Sequence, residues 1–443
     1  MPNLSINRLA YFTLQVITAN ILGGVLVFLQ PILILNLTEE HTLGVFSLLV
    51  SWANIGFLLA SFGLLTAFQR LGARYYSRHK GLEFEAYNFL NRCSLKHLVL
   101  TSIGLVAIAA FVHSGEVPLI LYPAIMLVLV SIYYTRWYLI LARIRENNFW
   151  PNIFDQPLRE GIFIIFTLLF SYLLVSENYS GQGTYNATAL IIIYSISAIS
   201  SAWAANSYVK SKQLVPTPTI GPESGLSDPR NTSIKRLHAV WLGIARTSFP
   251  SELGIYLIKR VDVIIVSIFV STESSGIYFL MSRIAELPNL VAGSINVIVG
   301  PEFAKMRAYG YEKRRRTLYI LASALPSLGT IIMIIGVFYA DKLGLLEWVF
   351  GQQLDLRVLY LFLFGYTLYF ALGPSTVLLT MTGGQKISSM VSSGIVTLHL
   401  LSVTLLTNWL GETGAALAFC ISIILQRIIE LTFIVTKKNK SPQ

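Results

Sequence analysis

The sequence contains few charged residues. Asp, Glu, Lys and Arg together make up 12% of its 443 residues, whereas they account for about a quarter of an ordinary soluble protein. Hydrophobic residues reach 54%, and the mean hydropathy is +0.64. A chain with this composition cannot cover its surface with charge, which excludes an ordinary soluble domain. The sequence therefore predicts an all-α, polytopic membrane protein.

Groups that carry covalent chemistry are also scarce. There are two cysteines, Cys93 and Cys420, and six histidines, and none of them stands at a metal-binding spacing with another ligand. The phosphate-binding pattern GxxxxGK[ST] does not occur, so no ATP site of that kind is expected. We accordingly predict no metal, no cofactor and no enzymatic reaction. His399 is interpreted as a packed or hydrogen-bonded side chain rather than a proton carrier.

Long hydrophobic runs are abundant instead. Windows of about 20 apolar residues, the length that crosses a bilayer, predict twelve transmembrane helices. Their expected limits are 9–37, 43–68, 90–112, 117–142, 153–175, 186–209, 239–270, 275–304, 317–340, 356–381, 386–408 and 413–436. An even number of spans places both termini on one side of the membrane.

Basic residues are unevenly distributed between the loops. They are concentrated at the termini and after the even-numbered spans, for example in 70–80 and 305–316, whereas the opposite loops are rich in Glu and Asp. Because positively charged loops stay in the cytoplasm, we predict that both the N- and C-termini are cytoplasmic. The net charge of +11 is then explained by topology and by contact with membrane lipids that are anionic. It requires no nucleic acid as a partner.

One polar stretch interrupts the hydrophobic pattern. Residues 210–237 are rich in Pro, Gly and Ser, which is typical of a flexible linker. We predict that this linker is cytoplasmic. It would separate an N-terminal lobe, 1–209, from a C-terminal lobe, 238–443. The string LGVFSLL from Leu43 is echoed by SGIYFLM from Ser275, and a second short echo has nearly the same offset. These echoes indicate two six-helix lobes, a parallel pseudo-repeat, around a central cavity.

Segment 248–288 is apolar enough for two spans joined by the turn STESS, yet it carries charge. Outside this turn, its charged residues are Glu252, Lys259, Arg260, Asp262, Arg283 and Glu286. A charge inside a bilayer costs about 3 kcal/mol or more, so it normally faces protein or water. At about 1.5 Å per residue from the turn, all but Glu252 lie near the bilayer centre. Antiparallel packing would place Asp262 level with Arg283, and Lys259 or Arg260 level with Glu286.

We therefore expect a partly paired, net cationic cluster that faces a hydrated cavity. Structural bridges between neighbouring helices are the alternative for both pairs. The acids Asp262, Glu286 and Glu252 are candidates for taking up a coupling ion, H+ or Na+. Arg246 is expected on the cytoplasmic approach to the cavity. The amides within spans could bind a polar ligand, or bond between helices instead. They are Gln15, Asn20, Gln30, Asn54, Asn289 and Asn296.

Four segments carry a family resemblance. They are KRVDVIIVSIFVSTESSGIYFLMSRIAELPNLVAGSINVIVGPEFAKM, LGVFSLLVSWANIGFLLASFGLLTAF in span two, MTGGQ before span eleven, and GETGAALAFCIS opening span twelve. The sequence resembles the Wzx-type polysaccharide flippases of the multidrug/oligosaccharidyl-lipid/polysaccharide exporter superfamily. The resemblance implies a V-shaped molecule in a bacterial inner membrane, with alternating access and a cationic cavity for an undecaprenyl-diphosphate-linked oligosaccharide such as an O-antigen unit. It matches Arg260 and Asp262 to a basic-x-acidic pattern in span seven, and Arg283 to a basic position in span eight. A polysaccharide polymerase and chain-length proteins are the implied partners.

Two other functions stay open at this point. A cation-coupled exporter of drugs or other small molecules would need a compact acidic or aromatic pocket, and 9–37 contains no acid. A membrane glycosyltransferase or polysaccharide polymerase would need a long outer loop with catalytic acids, but the longest predicted outer loop, 341–355, has about fifteen residues. We favour a flippase for a lipid-linked oligosaccharide. Outward movement of its diphosphate gains about 2.3 kcal/mol per charge per 100 mV, so ion coupling would be optional.

Overall fold

The computed structural model describes residues 6–69, 80–113, 117–144, 149–176, 183–212, 214, 230–308, 311–351, 355–382 and 384–438. Every element in these ranges is an α-helix. The N-terminal lobe consists of α1 (Ile6–Leu37), α2 (Glu40–Ser61), α3 (Lys80–Val112), α4 (Leu121–Ile144), α5 (Phe149–Ser176) and α6 (Gly183–Ser211). The C-terminal lobe consists of α7 (Arg230–Phe269), α8 (Thr272–Ala285), α9 (Leu287–Ala308), α10 (Glu312–Lys342), α11 (Leu345–Phe350), α12 (Arg357–Ala371), α13 (Ser375–Met381) and α14 (Gln385–Lys438).

The helices account for twelve membrane crossings. Eight described segments are long and apolar enough to cross by length and composition alone. One of them, α14, would be about 80 Å long if straight, but Gly411 adopts a φ of 61° and bends it into two antiparallel crossings. The remaining crossings are α5, α7 and the pair α8 and α9, whose charged residues lower their hydropathy. The protein is therefore a multi-pass, all-α membrane protein, as predicted.

Several crossings are broken where proline or glycine interrupts the helix. Span eight divides at Glu286, two residues before Pro288, and span ten divides around Gly373, which has a φ of 79°, and Pro374. Proline has no N–H to continue the backbone ladder. In contrast, α7 continues through Pro250 and begins at Arg230, ahead of the predicted start of its span. The predicted linker is described at its two ends only, and 215–229 lies outside the described residues.

Each lobe is built around a buried helix. In the N-terminal lobe, α2 is almost entirely buried and packs against α3, α4 and α6. In the C-terminal lobe, α14 packs along α7 and α12. Between the lobes, α2 contacts α7 and α8, while α1 contacts α9. These contacts leave a cavity between the lobes at the level of α1, α5, α7 and α9.

The closest approach of the lobes lies at the end of the molecule opposite the termini, which we call the distal end. A Cβ atom added at Gly44 of α2 would lie 1.9 Å from the carbonyl oxygen of Thr272, and one added at Gly276 of α8 would lie 2.6 Å from the amide nitrogen of Gly44. The Oγ atoms of Ser47 and Ser275 are 3.5 Å apart. These contacts, named here the distal seal, join the two segments that echo each other in the sequence, which supports the pseudo-repeat.

Candidate functional site

Four charged side chains meet where α7, α8 and α9 converge. The carboxylate of Glu286 lies 3.2 Å from Nζ of Lys259, 3.3 Å from Nη2 of Arg260 and 3.3 Å from Nη1 of Arg283. All four side chains are less than one-fifth exposed. Three cations thus share one anion, which gives this group a net charge of +2. We call it the cationic cluster.

The hairpin formed by α7 and α8 brings the cluster together. Val270 and Ser271 join the two helices, and the Ser271 hydroxyl accepts a hydrogen bond of 3.1 Å from the Ser274 N–H to cap α8. At this turn, a hydrogen bond to its own backbone N–H lowers the pKa of the Glu273 carboxyl. Both helices then run about equally far to the cluster. The predicted pairing of Glu286 with Lys259 and Arg260 is confirmed.

The cationic cluster faces a cavity of about 390 Å³ between the lobes. The N-terminal lobe contributes Gly24, Val27, Phe28 and Gln156, and the C-terminal lobe contributes Tyr256, Lys259, Arg260, Arg283, Glu286, Leu287, Asn289 and Leu290. The C-terminal side of the wall therefore carries the charged groups, and the N-terminal side is apolar except for the amide of Gln156. A ligand that combines an anionic group, hydroxyls and an apolar portion would find a matching surface for each.

Each of the two arginines has an N–H group that is not used in a hydrogen bond within the described part of the chain. Nη1 of Arg260 and Nε of Arg283 are buried and have no hydrogen-bond partner among the described residues. Each of these atoms belongs to a guanidinium that binds Glu286 through another of its nitrogens. A buried donor without a partner costs about 1–3 kcal/mol. An acceptor that reaches these two N–H groups would therefore bind favourably.

The other predicted ligands do not line the described part of the cavity. Arg246 is exposed on α7, about 21 Å along the helix from Arg260. Asn20 is half-buried on α1, and Glu252 is half-buried on α7. The amide of Asn54 donates a hydrogen bond of 2.6 Å to a carbonyl of its own helix. Their roles in binding remain predictions.

Sequence reasoning missed two residues of the cavity wall. Tyr256 lies one helical turn before Arg260, so the helical period of the charged residues could have identified it. Gln156 comes from α5 in the other lobe, and no pattern in the sequence links it to α7. Asn289 does line the cavity, as expected.

Asp262 does not pair with Arg283 and instead belongs to a second, dry network. Its two oxygens accept a hydrogen bond of 2.9 Å from the Tyr278 hydroxyl and one of 2.8 Å shared with Nε2 of His399. Nδ1 of His399 lies 3.0 Å from the Ser422 hydroxyl. All four side chains are buried. This network ties α7 and α8 to both halves of α14, and the interpretation of His399 as a hydrogen-bonded side chain is confirmed.

Asp262→Ala is expected to lower the melting temperature of the purified protein in detergent. The substitution leaves the Tyr278 hydroxyl and the His399 ring without their acceptor in a dry interior, and each buried group without a partner costs about 1–3 kcal/mol. Ser422→Ala is the milder control, because the Ser422 hydroxyl also bonds to a carbonyl of its own helix. An Asp262→Ala protein that melts at the wild-type temperature would show that the network does not stabilise the fold.

The N-terminal lobe carries buried charges of its own. Arg136 pairs with Asp155 at 2.9 Å, and Arg159 pairs with Glu160 at 2.8 Å. Residue counting suggests a position at the membrane surface for three of these residues. The structure buries them instead, and each is less than one-tenth exposed: Asp155, Arg159 and Glu160. Glu160 also attracts Arg283 of the C-terminal lobe electrostatically.

A third buried network lies at the break of span ten. The carboxylate of Glu430 accepts hydrogen bonds from the hydroxyls of Ser375 at 2.6 Å and Thr376 at 2.7 Å. Arg427 lies 3.5 Å from the same carboxylate oxygen and bonds to the hydroxyl of Tyr369. Arg427 and Glu430 are three residues apart on one face of α14, a spacing that allows this local bridge. This network fixes the start of α13 against α14.

The fold is similar to that of solved structures described as a lipid flippase and as MATE transporters. The lipid II flippase MurJ in an inward closed conformation aligns over 96% of this chain and 87% of its own, with a TM-score of 0.68 and 14% identity. An outward-facing MATE family transporter of the MOP superfamily aligns over 97% of each chain, with a TM-score of 0.62 and 14% identity. An inward-facing MATE family transporter has a TM-score of 0.60 at 13% identity, covering 97% of this chain and 96% of its own.

Sequence comparison adds no closer relative. No protein-family model matches the chain. No curated protein matches it either. At 13–14% identity, structural similarity establishes the fold and not the substrate. The chain thus has the twelve-helix, two-lobe, V-shaped fold that MurJ shares with the MATE transporters.

Proposed function

We propose that this protein flips an undecaprenyl-diphosphate-linked oligosaccharide, such as an O-antigen unit, across a bacterial inner membrane. Alternating access would carry the unit from the cytoplasmic to the periplasmic leaflet, with both termini of the chain in the cytoplasm. The proposal rests on one observation above all: a cluster of net charge +2 lines a cavity between the lobes and keeps two guanidinium N–H groups without partners. The flippase MurJ among the structural neighbours adds support.

The diphosphate is the group that fits the cluster. Arginine binds phosphate oxygens in pairs through its planar fork, with charge-assisted hydrogen bonds about twice as strong as neutral ones. Arg260, Arg283 and Lys259 would therefore hold the diphosphate. The amides of Gln156 and Asn289 would meet the first sugar, since each sugar hydroxyl left without a partner in lipid costs about 1–7 kcal/mol.

The remaining predicted ligands would act further along the path. At about 390 Å³, the cavity in this conformation has room for the diphosphate and neighbouring sugar, and not for a long oligosaccharide. The rest of the glycan would extend towards the wider ends of the path, where Asn20 and Asn54 could contact it. Arg246 would attract the anionic head as it approaches.

A small-molecule exporter is the second candidate. The cavity volume lies within the range of about 300–1,000 Å³ that is usual for small ligands, and MATE transporters share the fold. The charge of the site argues against cationic drugs, because a net charge of +2 repels them. An anionic small molecule would be compatible with the cluster and is the relevant competitor.

Ion coupling is proposed as a secondary feature. Of the three candidate acids, Glu252 lies away from the cavity and Glu286 is held by three cations. Both oxygens of Asp262 already accept hydrogen bonds, one shared with His399. Because Na+ needs several free oxygen ligands, this arrangement argues against Na+ at Asp262. A polysaccharide polymerase and chain-length proteins would receive the product at the outer leaflet.

The experiment that tests the proposal is flipping of a fluorescent lipid-linked oligosaccharide in proteoliposomes. The double variant Arg260→Ala with Arg283→Ala is expected to slow flipping about a hundredfold. It removes two charge-assisted interactions of about 1.5–3 kcal/mol each, and a loss of 1.4 kcal/mol is tenfold. Reconstitution efficiency, measured separately, should be unchanged.

Arg357→Ala is the matched control, because Arg357 is 82% exposed at the start of α12 and far from the cavity. It should flip the lipid at the wild-type rate. Normal flipping by the double variant would remove the cationic cluster from the substrate path. Transport of a labelled drug but of no lipid-linked sugar by the wild-type protein would favour the second candidate.

A further inference from the structure

Glu286 combines two properties that no other residue of the cavity shares. It is the single acid on which Lys259, Arg260 and Arg283 converge. It also forms the joint between α8, which ends at Ala285, and α9, which begins at Leu287. The acid that neutralises the site therefore lies at a break in the helix that carries it.

We propose that Glu286 is a built-in counter-ion, which the diphosphate of the substrate displaces, and that its displacement frees the joint between α8 and α9. This inference rests on the proposed function, because it requires a diphosphate in the cavity. Glu286 does not bind the substrate but competes with it for the three cations. Through this competition, substrate binding changes the shape of the C-terminal lobe.

The hydrogen bonds of the two arginines show where the carboxylate and a phosphate would compete. Arg260 uses Nη2 for Glu286 and leaves Nη1 without a partner among the described residues, while Arg283 uses Nη1 and leaves Nε without one. A phosphate group binds a guanidinium best through two adjacent N–H groups of one fork. Nη1 and Nη2 of Arg260 form such a fork, and Glu286 already binds Nη2. A bidentate phosphate at this fork therefore competes with the carboxylate of Glu286, and all three cations attract both anions.

The charges of the site and of the bound diphosphate balance when Glu286 stays in the cavity. The three cations and Glu286 carry a net charge of +2, and a diphosphate diester linked to lipid and sugar carries about −2 at neutral pH. The occupied site is then neutral with Glu286 displaced but retained in the cavity. Neutrality favours passage through the membrane, where an uncompensated charge is costly.

The side chain of Glu286 contributes to holding the joint. The Glu286 N–H still bonds to Ser282, and the next helix starts with Leu287 and Pro288, where proline contributes no N–H to the ladder. The ion pairs of Glu286 with Lys259 and Arg260 tie the joint to α7. Once they are released, α9 can pivot. Because Leu290 of α9 packs directly on Gly24 of α1, that pivot reaches the other lobe.

Calorimetry with inorganic pyrophosphate tests the competition on the purified full-length protein. Glu286→Gln keeps the shape of the side chain and removes the charge, so it should bind pyrophosphate at least about tenfold more tightly than wild type, while flipping the lipid-linked oligosaccharide more slowly. Glu347→Gln, an exposed carboxylate on α11, is the control and should change neither quantity. Equal or weaker binding by Glu286→Gln overturns the inference.

A second variant separates competition from a purely structural role. In Glu286→Ala, added acetate can occupy the vacated position, so acetate should weaken pyrophosphate binding to this variant and leave the wild type unaffected. An absence of acetate competition in the variant contradicts the inference.

The wild type and the double variant Arg260→Ala with Arg283→Ala distinguish this failure from failure of the proposed function. Pyrophosphate binding to the wild type that is lost in the double variant supports a diphosphate site, whatever Glu286 does. If the wild type binds no pyrophosphate, the proposed site itself is wrong.

Discussion

A disulfide across the distal seal is expected to abolish transport, and reduction of that disulfide to restore it. Ser47→Cys and Ser275→Cys place two thiols where hydroxyl oxygens are 3.5 Å apart. The backbones there are close enough for a cross-link, because the glycines beside them leave no side chain between α2 and α8. Alternating access requires these helices to separate when the cavity opens towards the distal end. A covalent bond prevents that separation outright.

The measurement is flipping of the fluorescent lipid in proteoliposomes before and after oxidation, with the extent of cross-linking read by gel shift after proteolysis in the linker. The two native cysteines, Cys93 and Cys420, should first be replaced by alanine so that no other thiol reacts. Each single cysteine variant, oxidised in the same way, is the control and should transport normally. Undiminished flipping by a fully cross-linked protein would mean that the distal seal does not open during transport.

Glu430→Ala is expected to destabilise the protein by about 3–5 kcal/mol, the usual cost of leaving one member of a buried ion pair alone. Glu430 is fully buried, and its carboxylate is the acceptor for Ser375, Thr376 and Arg427. Removing it leaves the Arg427 charge in the lobe interior without an anion. It also releases the start of α13 after the break at Gly373 and Pro374. Thermal unfolding in detergent should show a fall in melting temperature of many degrees.

The double variant Glu430→Ala with Arg427→Met tests whether the stranded charge is the cause. Replacing both members of a buried pair by apolar groups is often nearly neutral, so this variant should recover most of the lost stability. Asp355→Ala breaks an exposed pair with Arg357 and should leave the melting temperature unchanged, since exposed pairs contribute little. If the double variant is as unstable as Glu430→Ala, the loss arises from the hydroxyl bonds and not from the charge.

The sequence predicted the depth of each charge because the rise of a helix is constant. Counting from the turn brought Lys259, Arg260 and Glu286 to one level, and they meet there. Depth in the membrane alone did not predict the partner of Asp262. It follows Arg260 by two residues, which turns it about 200° around α7, away from the cavity and towards His399 of α14. The helical period could have corrected this pairing, although the identity of the partner could not.

Other features depended on contacts that no local pattern encodes. Asp155 is buried because α4 brings Arg136 to it, and the polar start of α5 does not reveal that partner. Gln156 faces the cavity because the two lobes pack together. Proline lacks an N–H at Pro288 and Pro374, where spans eight and ten break, yet α7 continues through Pro250. The presence of a proline therefore did not decide which helices break. Local chemistry predicted the helices, while the packing of the lobes determined the cavity wall.

Gly44 and Gly276 occupy equivalent places in the two halves of the chain, yet they touch each other. Equivalent points of two related bodies can meet only at the rotation axis that exchanges them. In a half-length ancestor that formed a homodimer, this residue would have lain on the two-fold axis. Any side chain there would have collided with the same side chain of the second copy. Glycine at the axis therefore satisfies a requirement of symmetry, and fusion of the two copies through a linker would have preserved it.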